Sequence, residues 1–325
     1  MTPDFKSGFA EKLSQFVRQK LALGFDYISP MHCLRRFDLM CYERYPADCQ
    51  LTREICMAWA TKGQNENNNS FRNRISPIRE FARFLARNGE SAYLIPIDMV
   101  RKSPPAAPYI FSQEEISAIW MEYDAFHKIS HLSVRNIVLP AFMRILYCCG
   151  LRPIEVCRLV PADVDLNVGK LHIRESKGHR DRIVMMAHDV AAYMREYDKQ
   201  ANRVVPNRQW FFPNVSGNIC DNRWLSNIFR QVRDKLCIGS VCGNKPTLYN
   251  FRHTYATHRL YDWLRRGEDL NAKLPYLSAY MGHTQLSDTY YYIRLVPEQL
   301  QIMTGIDFSR YEELLPEVEC DERFL

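Results

Sequence analysis

Long apolar runs are missing from this sequence: no stretch approaches the roughly 18 residues that a helical membrane span requires. Residues Met1 to Glu11 carry charge within the first few positions and hold no apolar core of a secretory signal, so the expected location is cytoplasmic. There is no GxxxxGK[ST] phosphate loop and no carboxylate cluster of the two-metal type. Paired CxxC spacing is also missing. The 11 cysteines are scattered, Cys148 and Cys149 adjoin within an apolar stretch, and no second ligand pair follows Cys237 and Cys242. Buried, reduced thiols are the expectation. Neither an internal repeat nor a low-complexity tract is present.

What remains is an ordinary globular composition, with 46% hydrophobic and 25% charged residues over 325 positions, a length that predicts two domains. A net charge of +6 and a pI near 8.7 are compatible with a nucleic-acid partner without establishing one. The distribution says more: arginines gather between Phe71 and Arg87, and Glu312 to Leu325 is acidic.

The first hundred residues read as helices. Phe9, Leu13, Phe16, Val17 and Leu21 recur at amphipathic spacing up to Gly24. A second helix is expected from Ser29-Pro30 to Tyr45, and a third after the N-cap candidate Thr52. The polar run Gly63 to Ser70 reads as a loop, and a fourth helix is expected from Ser76-Pro77 to Asn88-Gly89. Ile78, Phe81 and Leu85 form its apolar stripe, while Arg79, Arg83 and Arg87 recur every four residues on another side. Such a row suits either a solvated face or a helix that tracks phosphates.

Residues 1–100 therefore form one expected domain, 101–110 an extended basic and Pro-rich linker, and 111–325 a second domain with a tail. The second domain opens with a capping box, Ser112 to Glu115. It is mainly helical, with one β-hairpin: Lys170 to Glu175 alternates, Arg182 to Met186 is strand-like, and the polar turn between them begins at Ser176-Lys177-Gly178.

Four segments then bring basic or nucleophilic side chains to element ends. They are Tyr147 to Glu155 with Arg152, the hairpin with Lys177, Tyr249 to Thr257 with Arg252 and His253, and Gly282-His283 followed by Thr289-Tyr290-Tyr291-Tyr292. Singly, each has a plain structural explanation, such as a capping arginine, a solvated lysine, a turn histidine or packing tyrosines. In this order and spacing, GLRxxE, SKG, RHTYAT and GHxxxxxTxxY together resemble the tyrosine recombinase (phage integrase) family. The "WFFP" strand at Trp210 to Pro213 and the PYIFSQEEI opening are weaker echoes. The motifs span the second domain, whereas the first matches only in helical character and size.

The resemblance implies a mainly α fold with a small β-hairpin or sheet, comprising an N-terminal helical core-binding domain and a catalytic domain. It implies a DNA recombinase that forms a covalent 3′-phosphotyrosyl intermediate and needs neither metal nor nucleotide cofactor. Arg152 and Arg252 would clamp the scissile phosphate, a task suited to a permanently charged, bidentate side chain. Lys177 would protonate the leaving 5′-oxygen, and His283 would bond the phosphate or orient the nucleophile. In the family pattern the nucleophile lies nine residues after the histidine and three after the threonine, which selects Tyr292 over Tyr290 and Tyr291. One departure stands out. Tyr249 occupies the usual His or Lys position, and a phenol with a pKa of about 10 donates to phosphate but accepts protons poorly. His253 reads as a helix-packing residue rather than a substitute base.

Double-stranded DNA is the expected partner, contacted by Arg79, Arg83, Arg87, Arg101 and Lys102 in a clamp of two domains. The working assembly implied is a homotetramer on DNA. Apolar residues Leu295, Leu300, Ile302, Met303 and Ile306 either dock on a neighbour or pack on their own domain. A topoisomerase-like relaxing enzyme and a DNA-binding protein without catalysis are the competing readings.

Overall fold

The computed structural model describes residues 4–25, 27–99, 107–129, 133–176, 180–239, 245–285 and 287–293. It separates into two compact units, Met1–Ala106 and Ala107–Leu325. No helix among the described residues is long and apolar enough to cross a membrane.

The first unit holds helices α1 (Ala10–Ala22), α2 (Ile28–Arg44), α3 (Arg53–Trp59) and α4 (Asn68–Arg87). Their apolar stripes meet in one core of Phe9, Phe16, Phe37, Ile55, Ile78 and Phe81, each almost fully enclosed. Buried Asp38 ties the chain entry to α2, accepting from the Lys6 and Ser7 amides and from the Ser7 hydroxyl. Thr52 caps α3, its hydroxyl accepting from the Ile55 amide at 3.3 Å. The start of α4 differs from expectation. Asn67 caps it, accepting from the Ser70 amide at 2.8 Å, so the helix begins within the polar run and carries Pro77 in its interior. Phe71 and Ile75 continue the Ile78, Phe81, Leu85 stripe backwards at 3–4 spacing. Their burial outweighs the hydrogen bond that proline forfeits.

The second unit is built around α6 (Val134–Cys148), buried on most sides, against which α5 (Gln113–Ile129), α8 (His188–Val204) and α10 (Asn250–Arg265) pack. Ser112 caps α5 in the expected box: its amide donates to Glu115 at 2.9 Å, and the Glu115 amide to its hydroxyl at 3.2 Å. Short α7 (Pro153–Cys157) leads to a three-stranded antiparallel sheet of β1 (Val164–Asp165), β2 (Lys170–Ser176) and β3 (Arg180–Met185). In register, Leu171 faces Val184 and Ile173 faces Arg182. Helices α9 (Asn222–Lys235), α11 (Leu270–Met281) and α12 (Ser287–Ile293) complete the unit. Trp210 to Pro213 forms no strand, only an isolated bridge from Pro213 to Ile219. Its two phenylalanines are core residues, and the Phe211 carbonyl accepts from the Tyr197 hydroxyl. The cysteines divide: Cys41, Cys56, Cys149, Cys157 and Cys220 are buried as expected, whereas Cys49 and Cys237 are exposed.

Candidate active site

Two helix ends and two helix starts meet in the second unit. Helix α6 ends at Cys148, and Gly150 just beyond it, with a φ of +57°, turns the chain into Leu151 and Arg152. Arg152 is the N-cap of α7, and its amide donates to Glu155 at 2.9 Å while Nη1 donates to the same carboxylate at 2.7 Å. From the first turn of α10, Arg252 donates through Nη1 to the Gly150 carbonyl at 2.7 Å and through Nη2 to the Met281 carbonyl at 2.5 Å. Arg152 Nη2 donates to the next carbonyl, Gly282, at 3.2 Å. Both guanidiniums therefore anchor on consecutive carbonyls at the C-terminus of α11, the end whose dipole favours cations.

Gly150 is required here twice over. A Cβ at this position would lie 2.3 Å from the Tyr255 ring, and the backbone is left-handed. Gly150→Ala is expected to cost about 1–3 kcal/mol and to shift the carbonyl that holds Arg252. A lowered urea midpoint with an unchanged m-value would check it.

His283 follows left-handed Gly282, and its Nδ1 lies 2.7 Å from the hydroxyl of fully buried Thr289 on α12. Tyr292, one turn later, is 3% exposed. Its ring stacks on His283 at 6.0 Å between centroids and lies 5.5 Å from His253, whose ring in turn sits 5.1 Å from that of Tyr249. Tyr249 is 43% exposed and acts electrostatically on both Arg152 and Tyr292. The structure thus brings together Arg152, Tyr249, Arg252, His283 and Tyr292 in one region. Lys177 lies outside the described residues.

The electrostatics are those of a closed, positive site. Arg252 has no solvent exposure, and its buried Nε finds no acceptor among the described residues. Burial and the neighbouring Arg152 lower its pKa to about 10, so it stays charged at neutral pH. Burial would raise Glu155, but hydrogen bonds and charge from Arg182, joined by Arg152, pull it down to about 2. Tyr292 is pushed up to about 12 by burial, which outweighs the pull of Arg252.

Burial and the adjacent arginines hold His283 down at about 3, and burial holds His253 at about 4. Both protonate near 6.5 in an unfolded chain, so below that pH the unfolded state takes protons that the folded state refuses. Stability is therefore expected to fall as pH drops from about 6.5 toward 3, through the folded values of His253 and His283. Glu155 adds to this lower down, its stabilisation complete above the ordinary carboxylate range and lost as pH falls toward 2. Urea midpoints at pH 8, 6 and 5 read the slope, and His283→Asn is expected to flatten it. An equal slope in wild type and variant contradicts the assignment.

Arg182 is the site member that motif reading passed over. It donates to Glu155 Oε1 at 2.9 Å and to Oε2 at 2.8 Å, and its Nε donates to the Tyr280 carbonyl at 2.9 Å. A signal existed: it shares the inward face of β3 with Val184, where a charged residue requires a partner.

The DNA-contact candidates of the first unit divide as well. Arg79 is half-buried, its Nε donating to the Ile95 carbonyl at 2.8 Å, while Arg83 and Arg87 are exposed and unpaired among the described residues. Arg101 and Lys102 lie outside the described residues, as does the tail from 294 onward.

Comparison with known proteins gives a consistent result. The model of the phage integrase family matches residues 112–299. The tyrosine recombinase XerC of Chlamydia trachomatis is 31% identical over 229 residues, covering 68% of this chain and 65% of the relative. A Sinorhizobium fredii protein named as an integrase/recombinase, y4rB, is 25% identical and spans 91% of this chain and 95% of its own length. Among solved structures, the XerH site-specific recombinase bound to a palindromic difH substrate has a TM-score of 0.63 at 15% identity, covering 94% of this chain and 91% of that one. A lambda integrase dimer bound to a core site has a TM-score of 0.56 at 14% identity, covering 84% and 95%. These two share the fold. The chain belongs to the phage integrase family and is an enzyme of the tyrosine recombinase type, which cleaves and rejoins DNA strands.

Proposed function

We propose that this chain is a site-specific DNA recombinase or integrase that acts through a covalent 3′-phosphotyrosyl intermediate on Tyr292. The observation that carries this reading is the buried Arg252 guanidinium with an unfilled Nε–H, beside Arg152 and within the cluster that holds Tyr292. An orphaned buried donor costs about 1–3 kcal/mol, a penalty removed when an anionic oxygen accepts from it. Arg152, Arg182 and Arg252 against Glu155 leave two positive charges in excess, which suits the trigonal-bipyramidal transition state of phosphoryl transfer.

Tyr292 Oη bonds to phosphorus and the bond from phosphorus to the 5′-oxygen breaks. The tyrosine proton leaves to water, and Lys177 supplies a proton to the departing 5′-oxygen. His283, neutral and held by Thr289, donates from Nε2 to a phosphate oxygen or steers the Tyr292 ring. Tyr249 donates its hydroxyl to the same phosphate. Attack by the 5′-hydroxyl of another strand reverses the chemistry without an external energy source. Arg252 and Tyr292 are closed from solvent, so engagement of DNA opens the site.

Arg83 and Arg87 are exposed cations of α4 and track phosphates. Arg79 supports them from its place on the Ile95 carbonyl, and Arg101 and Lys102 of the linker add further contacts. A homotetramer on DNA is the working assembly, with the apolar residues after Tyr292 exchanged between protomers. The test uses nicked duplexes carrying a sequence that the full chain itself selects from a random library. A protein–DNA adduct that survives denaturation supports the reading, and its absence on bound DNA overturns it. Strand exchange between two such duplexes separates recombination from relaxation.

A further inference from the structure

His283 belongs to two helices at once. Its backbone finishes α11: the Gly282 amide donates to the Ala279 carbonyl at 3.1 Å and the His283 amide to the Ser278 carbonyl at 3.0 Å, the paired bonds of a Schellman ending with left-handed Gly282 in the turn. Its side chain is held by α12, where the Thr289 hydroxyl lies 2.7 Å from Nδ1. Thr289 has no solvent exposure, and His283 Nδ1 is the one partner of its hydroxyl among the described residues. A buried hydroxyl whose proton finds no acceptor costs about 1–3 kcal/mol, so that proton points at Nδ1. Burial and the nearby arginines keep the imidazole neutral. A neutral ring that accepts at Nδ1 carries its one proton on Nε2. Thr289 also stands one helical turn before Tyr292, whose ring stacks on His283 at 6.0 Å with 12° between the planes.

We infer that Thr289 is a positioning residue: its hydroxyl fixes the His283 tautomer with the proton on Nε2 and holds the ring so that this N–H serves the scissile phosphate. This rests on the strand-cleavage reading above. The other tautomer would turn Nδ1–H toward Thr289, strand the threonine proton and leave a lone pair on Nε2, which repels an anionic oxygen instead of binding it. Loss of the hydroxyl does further harm, because an unpaired Nδ1 favours rotation of the ring about χ2 toward another donor. The assignment explains why a polar side chain takes a fully buried place on α12, the helix whose Tyr292 packs among apolar Leu274, Leu277 and Met281. It also couples two events. The helix that seats Tyr292 is the helix that sets the proton on His283, so nucleophile and donor become ready together and are lost together.

The experiment reads the tautomer and the rate on the full chain. Nitrogen NMR of the histidine-labelled protein at neutral pH shows which ring nitrogen is protonated, and the His283 signal is assigned by its loss in His283→Asn. Single-turnover adduct formation is then measured at saturating protein on the self-selected nicked duplex for wild type, Thr289→Val and Thr289→Ser. Wild type is expected to show the Nε2-protonated pattern. Thr289→Val keeps the shape and loses the hydroxyl. It is expected to alter that pattern and to slow the covalent step by roughly 10- to 100-fold, with duplex affinity changed by less than about threefold. Thr289→Ser keeps the hydroxyl and loses the methyl. It is expected to retain the pattern and a rate within about threefold of wild type, even with a lower melting temperature. A merely structural threonine gives the reverse order, with rates that follow packing and valine above serine. That order, or an Nδ1-protonated wild type, overturns the assignment, while adduct formation by wild type keeps the cleavage reading intact. No adduct from wild type removes both.

Discussion

Tyr292→Phe is expected to abolish covalent capture of DNA while leaving duplex binding and the melting temperature close to wild type. The substitution deletes one hydroxyl and keeps the ring, and the ring is what packs: it stacks on His283 at 6.0 Å and sits among Leu274, Leu277 and Met281. A lost nucleophile removes the covalent route altogether, a rate effect on the order of 10⁴-fold or more. Tyr291→Phe, one position away and half-buried, is expected to retain adduct formation. Because burial lifts the Tyr292 hydroxyl to about 12, the wild-type covalent step is expected to accelerate as pH rises from 7 to 9. Adduct formed at an undiminished rate by Tyr292→Phe would remove this residue from the chemistry.

The second large effect belongs to Arg252. Arg252→Lys preserves charge but loses the fork that spans the Gly150 and Met281 carbonyls, together with the Nε–H left open for an anion. At least one buried carbonyl then goes unpaired, costing about 1–3 kcal/mol of stability. The covalent step is expected to slow by about 10²–10³-fold, the usual consequence of losing one preorganised donor to a developing charge. Affinity for duplex DNA is expected to change little, because on the proposed reading Arg83, Arg87, Arg101 and Lys102 supply most of the nonspecific attraction. Rate and binding measured on the same variant separate these effects. A proportionate fall in both would mean that Arg252 binds DNA uniformly rather than stabilising the transition state.

Much of this architecture was legible because it depends on local chemistry. The Ser112 box, the Thr52 cap and the hairpin alternation are each set by residues within a few positions, and each appears where those residues put it. The site arginines Arg152 and Arg252 were legible for another reason: their motifs keep order and spacing while the fold closes 102 residues between Gly150 and Arg252. The start of α4 escaped because a proline and a polar run outweighed a stripe that Phe71 and Ile75 extend. Arg79 looked identical to Arg83 and Arg87 in sequence, but only tertiary structure brings the Ile95 carbonyl to it. Arg182 was hidden similarly, since its partners Glu155 and Tyr280 lie 27 and 98 residues away.

Locating the DNA-bearing peptide tests the central claim most directly. The protein is trapped on the nicked duplex, the adduct is digested with protease and nuclease, and the modified peptide is sequenced by mass spectrometry. The expected result is a nucleotide joined through its 3′-phosphate to Tyr292, in the segment that follows Thr289. A phosphate on Tyr249, Tyr290 or Tyr291, a linkage through the 5′ end, or bound DNA with no modified peptide would contradict it.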